Sequence, residues 1–162
     1  MTVLPFDLSS SIHMSRQKKI SPFILTIFGA SGDLAKLKIF PALYALAVLK
    51  IFPKDFHIVG FARTPMMENE FRETFRKSVL ESKKSVDTNI LEQLIEKVSY
   101  FSGQYGNSEN FKAYREFLRK KTKGKRLMHI AYFSVPPTVF KDIVKNLGEN
   151  FDPSTEDVRL VI

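Results

Sequence analysis

The feature that most constrains this chain is an apolar, β-branched run that stops abruptly at a pair of glycines. The run extends from Ile24 to Phe28, Gly29 ends it, and Gly32 follows three residues later. Apolar residues then recur with helical period, so the pattern predicts a strand, a tight turn and the start of a helix. N–H groups in the first helical turn lack intrahelical partners and carry the positive end of the macrodipole. This arrangement is typical of a phosphate-binding turn.

Three small residues give the turn its predicted properties. Gly29 permits a sharp exit from the strand, and Gly32 lets a pyrophosphate approach the backbone closely. Ala35 lets the helix sit close to the sheet. The spacing is G-x-x-G-x-x-A and differs from the usual G-x-G-x-x-G. On spacing alone, a cofactor site and an ordinary βα turn that binds nothing both stay open.

The rest of the chain alternates between strand patterns and helix patterns. Apolar runs predict strands over residues 24–28, 56–62, 98–101, 127–135 and 158–162. Between them, periodic apolar residues predict helices. Their apolar faces are Leu34, Leu37, Leu43, Leu46 and Ala47; Met67, Phe71, Phe75 and Val79; Ile90, Leu91, Leu94, Ile95 and Val98; Phe111, Tyr114, Phe117 and Leu118, expected to face inward; and Phe140, Ile143, Val144 and Leu147. The alternation predicts a single-domain α/β fold, a Rossmann-like, doubly wound and mostly parallel sheet over residues 22–162.

Local signals refine the helices. The first helix is expected to run to about Lys50 and to bend at Pro41, which has no N–H to donate. Asp87 or Thr88 is placed to cap the third helix, and Gly148 to end the last one. Residues 1–21 carry serines and basic residues, and Pro22 follows them before the first strand. We expect a disordered extension over residues 1–21, with Met14 an alternative start to Met1.

Composition excludes several classes of protein. The 162 residues contain no cysteine, so disulfides, thiolate metal sites and cysteine nucleophiles are excluded. The three histidines, His13, His57 and His129, are too far apart in sequence for a local metal motif, and we expect no metal site. No apolar run reaches the roughly 18 residues that span a bilayer, and the start lacks the features of a secretory signal. We therefore expect a cytoplasmic protein that does not bind membranes.

Three longer strings resemble one family, the glucose-6-phosphate dehydrogenases. The first is GASGDLAKLKIFPALYAL, from Gly29 to Leu46, which matches the cofactor-binding turn and the aromatic-Pro pair of that family. HIVGFART, from His57 to Thr64, is similar to its second strand and the arginine that ends it. YFSVPPTVF, from Tyr132 to Phe140, resembles its fourth strand and double proline, with Phe140 where a tyrosine is frequent.

The resemblance implies the NADP-binding portion of an enzyme of the pentose phosphate pathway. Such an enzyme oxidises glucose 6-phosphate to 6-phosphogluconolactone by hydride transfer to NADP, and the full-length family is usually homo-oligomeric. In the family, the strand that RLVI resembles, Arg159 to Ile162, runs on into Glu-Lys-Pro-Phe-Gly. The general base and the substrate-phosphate lysine also lie beyond that point. We therefore expect no catalytic residue here, no C-terminal α+β domain and no turnover by the chain alone.

Arg63 predicts which dinucleotide binds. An acidic residue at the end of the second strand would hold the ribose hydroxyls of NAD, but here Ala62 is followed by Arg63 and Thr64. A guanidinium can bind a phosphate through two parallel N–H bonds and stack on adenine. The family also has an arginine at this position for NADP. A surface arginine with no ligand is the alternative.

The remaining candidate residues lie in loops that a parallel sheet brings to one edge, namely 29–36, 62–64, 103–105 and 135–137. Asp33 is expected to cap the helix, because its charge would oppose a pyrophosphate. By resemblance, Lys36 belongs to the cofactor loop and Lys38 to the substrate side. One of the peptide bonds at the double proline is a candidate for the cis form. The predicted cofactor residues are Gly29, Ala30, Ser31, Gly32, Asp33, Leu34, Ala35, Lys36, Arg63, Gln104, Tyr105, Pro136 and Pro137.

Two rival functions are open. A non-catalytic dinucleotide-binding or sensing module would share the glycine turn, but it would not need the Asp-Leu-Ala-Lys-x-Lys run. The net charge of +8 and a basic cluster raise the second rival, nucleic-acid binding. Basic runs at a helix end are usually solvated surface and suit the macrodipole, so we expect no nucleic-acid partner. The cluster comprises Lys112, Arg115, Arg119, Lys120, Lys121, Lys123, Lys125 and Arg126.

Overall fold

The computed structural model describes residues 20–152 and 157–162. The extension expected over residues 1–21 falls almost entirely outside them, and so does His13. The strands are β1 (Phe23–Phe28), β2 (Phe56–Ala62), β3 (Val98–Ser102), β4 (Met128–Phe133) and β5 (Val158–Val161). The helices are α1 (Phe40–Val48), α2 (Glu68–Ser82), α3 (Thr88–Ile95), α4 (Ser108–Lys121) and α5 (Phe140–Asn150). A π turn (Ala35–Ile39) precedes α1, and a 3-10 turn (Pro137–Val139) precedes α5.

The five strands form one sheet in the order β3-β2-β1-β4-β5, and every neighbouring pair is parallel. From β1 the chain winds one way through β2 and β3, then crosses to the other side of β1 for β4 and β5. The strand order therefore reverses between β1 and β4, and open α/β sheets bind ligands at such a switch point. This topology confirms the predicted doubly wound α/β fold.

Helices cover both faces of the sheet, which explains why the central strands are almost continuously apolar. Successive residues of β1 face opposite layers. Ile27 packs into a core with buried side chains of α1, α2 and α3, including Phe40 and Phe71. Phe28 packs into a second core with side chains of α4 and α5, including Phe111 and Ile143. These paired cores hold β1, and the turn that follows it, at the centre of the molecule.

The helix changes type just before Pro41, and the bend expected there stays a prediction. Residues 35–39 form a π turn in which the N–H of Phe40 donates to the carbonyl of Ala35, five residues back. The change falls just before Pro41, which has no N–H for the carbonyl of Leu37. The helical residues continue without a break to Val48, close to the predicted end at about Lys50.

Four side chains on the predicted apolar faces of helices are exposed. Leu34, Leu37, Met67 and Val144 have 41–76% of their surface accessible. Met67 precedes α2 as its N-cap residue, which explains why it does not continue the buried face of Phe71, Phe75 and Val79. Periodicity assigns an apolar residue to a helix face, but it does not say whether a neighbouring element covers that residue.

Three expectations about element ends have different outcomes. The cap at Asp87 is confirmed, since its carboxylate accepts from the N–H of Ile90 at 3.1 Å. Val98 opens β3 and does not belong to α3. Gly148 does not end the last helix, which continues to Asn150. The side chain of Asn150 is buried and donates to Ser108 and to the carbonyl of Asn146, so the last turn is fixed by packing.

Candidate functional site

The register of the sheet brings the predicted loops to one edge. Phe28, the last residue of β1, pairs with Phe61 of β2 and with Phe133 of β4. The N–H of Gly29 donates to the carbonyl of Phe61 at 2.8 Å, and the N–H of Ser134 donates to the carbonyl of Phe28 at 2.8 Å. The loops after the three central strands therefore leave the sheet at the same level, beside the switch point between β1 and β4.

Gly29 cannot be replaced without distortion. Its φ of +86° lies in the left-handed region, and a Cβ there would lie 2.2 Å from the carbonyl oxygen of Ser134. Gly32 has an ordinary φ, and a Cβ there would meet only the carbonyl of Gly29, at 3.2 Å. Gly29 thus makes the turn possible by letting it lie against β4, whereas Gly32 leaves the outer side of the turn open.

The turn offers unused hydrogen-bond donors. The N–H of Gly32 donates to the carbonyl of Gly29 at 3.0 Å, and that of Lys36 donates to Gly32. Within the described residues, the N–H groups of Ser31, Asp33 and Leu34 have no acceptor. Three free donors at the start of a helix form an anion-binding group of the kind that the sequence predicts.

Small buried residues hold this turn against the sheet. Ala30 and Ala35 are completely buried in the core beneath α1 and α2. Gly60 of β2 belongs to the same arrangement, although the sequence analysis did not identify it. A Cβ on Gly60 would lie 2.9 Å from the Cβ of Ala30 and 2.4 Å from the Phe71 ring. A strand glycine opposite the turn is the signal that points to such close approach.

Asp33 does not have its predicted role. The residue is exposed, and no described backbone N–H donates to its carboxylate in a capping hydrogen bond. The helix begins without a side-chain cap, which leaves its first N–H groups available. Asp33 and Lys36 instead line a groove of about 370 Å³ with residues of α2, among them Thr74 and Ser78. Lys38 is exposed on the π turn.

Arg63 follows β2 directly and is exposed, with its guanidinium 5.6 Å from the centroid of the Tyr105 ring. Tyr105 is buried, and burial raises the pKa of its hydroxyl, while Arg63 and the backbone of Gly29 act in the opposite direction. Tyr105 therefore connects the arginine to the glycine turn. The pairing also fixes the direction in which a flexible arginine points.

Thr64 ties the same loop to its neighbours. Its hydroxyl lies 3.3 Å from that of Ser31 in the glycine turn. Its carbonyl accepts from the hydroxyl of Tyr100 at 2.6 Å, and burial raises the pKa of Tyr100 to about 12. The loop after β2 is therefore anchored on both sides, and no carboxylate follows this strand before Glu68.

The other predicted residues complete the edge. The backbone N–H of Gln104 donates to the side chain of Asn110 at 2.8 Å, and Gln104 itself is exposed. Pro136 and Pro137 are exposed just beyond β4, and no peptide bond among the described residues is cis. Ser134 was missed by sequence reasoning. Its hydroxyl is buried without a partner among the described residues.

The described histidines lie away from this edge. Among the described residues, no group of three or more His, Asp or Glu side chains is placed to hold a metal ion. His57 and His129 both pair in the sheet with Ile24, near the opposite ends of the strands. Within the same residues, no helix is both long and apolar enough to cross a bilayer.

Comparison with known proteins identifies close relatives. A sequence model described as "Glucose-6-phosphate dehydrogenase, NAD binding domain" matches residues 26–162. The glucose-6-phosphate 1-dehydrogenase of Hanseniaspora uvarum is 33% identical over 89% of this chain and 30% of its own length. The chloroplastic glucose-6-phosphate 1-dehydrogenase 1 of Arabidopsis thaliana is 38% identical over 77% of this chain and 22% of its own length.

A solved structure agrees with these relatives. It is titled as glucose-6-phosphate dehydrogenase in complex with its substrate glucose-6-phosphate, and it superposes with a TM-score of 0.76 at 28% identity. The match covers 88% of this chain and 30% of that one, so this chain spans less than a third of the proteins that it resembles. Because the family model matches nearly all of the described fold, the chain belongs to the glucose-6-phosphate dehydrogenase family and carries its NAD-binding domain.

Proposed function

We propose that this chain binds NADP at the edge formed by the glycine turn, Arg63 and Tyr105. The proposal rests on the combination of two features at one edge of the sheet. The glycine turn has three free backbone N–H groups, and an arginine, with no carboxylate, follows the end of β2. A carboxylate there would repel a 2′-phosphate, whereas a guanidinium attracts one.

The residues present fit a dinucleotide. The N–H groups of Ser31, Asp33 and Leu34 are donors for the pyrophosphate, and the absence of a side chain at Gly32 leaves room for its approach. The carboxylate of Asp33 is negative, but it lines the groove toward α2. The donors in the turn are therefore backbone groups, which a pyrophosphate can use without contacting that side chain.

Other groups serve the two ends of the cofactor. Arg63 is assigned to the 2′-phosphate, and its stacking on Tyr105 orients the guanidinium. Gln104 lies in the same loop as Tyr105, on the side of the adenosine. Pro136 and Pro137 follow β4 across the switch point, where the nicotinamide is expected. Among the described residues, the buried Ser134 hydroxyl, which lies between these two regions, has no hydrogen-bond partner, and a group bound in the crevice would supply one.

We further propose that the whole protein is a glucose-6-phosphate 1-dehydrogenase. The relatives carry that name, and bound NADP supplies the hydride acceptor for oxidation of the sugar phosphate to 6-phosphogluconolactone. Lys38, exposed after the turn, is assigned to the substrate side. In the family, the general base and the substrate-phosphate lysine lie beyond the equivalent of Ile162, so the 162-residue chain is expected to bind NADP without turnover.

Three expectations about the whole protein accompany this proposal. We expect a homo-oligomer, because the full-length family usually forms one, and no nucleic-acid partner, because the basic cluster lies at a helix end. We also expect a cytoplasmic location. The relatives include fungal enzymes and enzymes named as chloroplastic, so fractionation of cells that express the native protein is the measurement that decides the location.

Calorimetry combined with an activity assay tests the proposal. NADP should release heat on binding the 162-residue chain, and the absorbance of reduced nicotinamide should not rise when glucose 6-phosphate is added. Gly32→Asp should abolish the heat, because it puts a charge beside the free N–H groups. Gly148→Asp is the matched control, since no described atom lies within 4 Å of a Cβ there. Absence of heat with the unaltered chain would refute the binding proposal, and turnover would refute the assignment of the base to a missing part.

A further inference from the structure

One buried polar side chain of α5 reaches the loop after β3 from the other side of the switch point. Asn146 lies in the middle of α5 and is only 4% exposed. Ile143 and Leu147, on the same buried face of the helix, pack into the core that also contains Tyr105. A carboxamide in such surroundings is unfavourable unless its N–H groups have acceptors, so its hydrogen bonds show what it does there.

The carboxamide of Asn146 bonds both its own helix and the loop after β3. Its Nδ2 donates to the carbonyl of Asp142, one turn earlier in α5, and to the carbonyl of Tyr105, each at 2.9 Å. Because both acceptors are carbonyl oxygens, the NH₂ group must face them, and the orientation of the side chain is determined. The bond within the helix fixes the carboxamide, and the other bond holds the backbone of Tyr105 against α5.

The loop after β3 is held by bonds from three different elements. The N–H of Gly103 donates to the last residue of β2 at 3.0 Å, and the N–H of Gln104 donates to a side chain of α4 at 2.8 Å. The bond from Asn146 adds α5, which follows β4 and so belongs to the other half of the sheet. It acts directly on Tyr105, the residue whose ring meets the arginine at the end of β2.

Tyr105 transmits this bond to Arg63. Its ring packs against Phe28 and Phe61, and the guanidinium of Arg63 lies 5.6 Å from the ring centroid. The position of the ring depends on the backbone of the same residue, and Asn146 fixes the carbonyl of that backbone. Loss of the bond would leave a buried carbonyl without this donor and would let the loop move, which would orient the guanidinium less well.

We propose that Asn146 is a positioning residue for recognition of the 2′-phosphate of NADP. It holds Tyr105, and Tyr105 orients Arg63. Because Asn146 is buried and its N–H groups are already used, it acts through Tyr105 and not by touching the dinucleotide. The inference rests on the proposed NADP site and adds to it a determinant of the preference for NADP over NAD that lies outside the cofactor loops.

The same helix provides a matched control. Asn150 lies one turn after Asn146 and is also buried. Its Nδ2 donates to the carbonyl of Asn146 at 2.9 Å and to the hydroxyl of Ser108 at 3.2 Å. Ser108 is the first residue of α4. The two asparagines therefore make equivalent bonds, but that of Asn146 reaches Tyr105, whereas that of Asn150 reaches the start of α4.

Calorimetry with NADP and with NAD on the 162-residue chain tests the proposal. Asn146→Leu fills a similar space without a donor and should raise the dissociation constant of NADP by about threefold to fivefold, the size of the cation–π contact that it disturbs. The constant of NAD should stay within about twofold of the original value. Asn150→Leu should change neither constant by more than about twofold. Asn146→Ala takes the place of the leucine variant if that chain does not fold.

A double-mutant cycle with Arg63→Ala separates positioning from a general loss of stability. Once the guanidinium is absent, Asn146→Leu should no longer change the constant of NADP. Equal rises for NADP and NAD, or an unchanged effect of Asn146→Leu in the Arg63→Ala chain, would overturn the proposal. If Arg63→Ala alone still weakens NADP selectively, that result leaves the proposed NADP site intact. An unaltered chain that binds no NADP would overturn both.

Discussion

The guanidinium of Arg63 lies 5.6 Å from the centre of the Tyr105 ring, and this contact joins the end of β2 to the loop after β3. The two residues are far apart in sequence, but the parallel register of β2 and β3 places their loops side by side, with the N–H of Gly103 donating to the carbonyl of Ala62 at 3.0 Å. The arginine that we assign to the 2′-phosphate is therefore oriented by a buried aromatic ring.

Substitutions of Tyr105 test that orientation. Tyr105→Phe keeps the ring and should leave the dissociation constant of NADP within about twofold of the original value. Tyr105→Leu removes the ring face and should raise the constant by about threefold to fivefold, the size of an exposed cation–π contact. Calorimetry on samples with matching circular dichroism spectra is the measurement. Equal constants for the two variants would show that the ring does not orient Arg63.

Glycine substitutions test the construction of the turn. Gly29→Ala should lower the free energy of unfolding by at least about 2 kcal/mol, because φ is positive and the new Cβ would meet the carbonyl of Ser134. Gly148→Ala is the control, and it should raise the free energy of unfolding by about 0.5–1 kcal/mol, since that glycine lies inside α5 and no described atom lies within 4 Å of a Cβ there. Urea unfolding measures both. A Gly29→Ala variant as stable as the original chain would be inconsistent with the turn described.

Stability should depend on the protonation of His129. Its pKa is about 4 in the folded state against 6.5 for an unperturbed histidine, so the unfolded state binds more protons between those values. Stability is then fully present above pH 6.5 and is lost as pH falls toward 4, by an amount on the order of 3 kcal/mol. Urea unfolding at several pH values should show a shallower loss in His129→Gln. Parallel curves for the two proteins would contradict the buried neutral imidazole.

The strands of this fold were predictable because the residues that specify each strand are adjacent in the sequence. Each central strand is an apolar run between turn residues, and a sheet covered on both faces requires such runs. The glycine turn was predictable for the same reason, since Gly29 must adopt a φ of +86° within a few residues of the strand end. The position of Arg63 was predictable because the end of β2 has a defined place in this topology.

Other features depend on contacts between different elements of the fold, which the periodicity of the sequence does not show. The π turn lies just before Pro41, which has no N–H to donate to the carbonyl of Leu37. The helix starts without a side-chain cap, and Asp33 lines the groove toward α2. Leu37 and Val144 match a helical pattern, but no neighbour among the described residues buries them. The network from Tyr114 through Thr26 to His129 joins three elements and has no local signature.

The most direct test of the account compares two dinucleotides on one variant. Arg63→Ala should raise the dissociation constant of NADP by about tenfold to a hundredfold, because a charge-assisted pair of bonds to the 2′-phosphate is lost. The constant of NAD, which has no 2′-phosphate, should change by less than about threefold. Arg63→Lys keeps the charge without the planar fork and should give an intermediate value for NADP. Equal changes for NADP and NAD in Arg63→Ala would contradict the assignment of Arg63 to the 2′-phosphate.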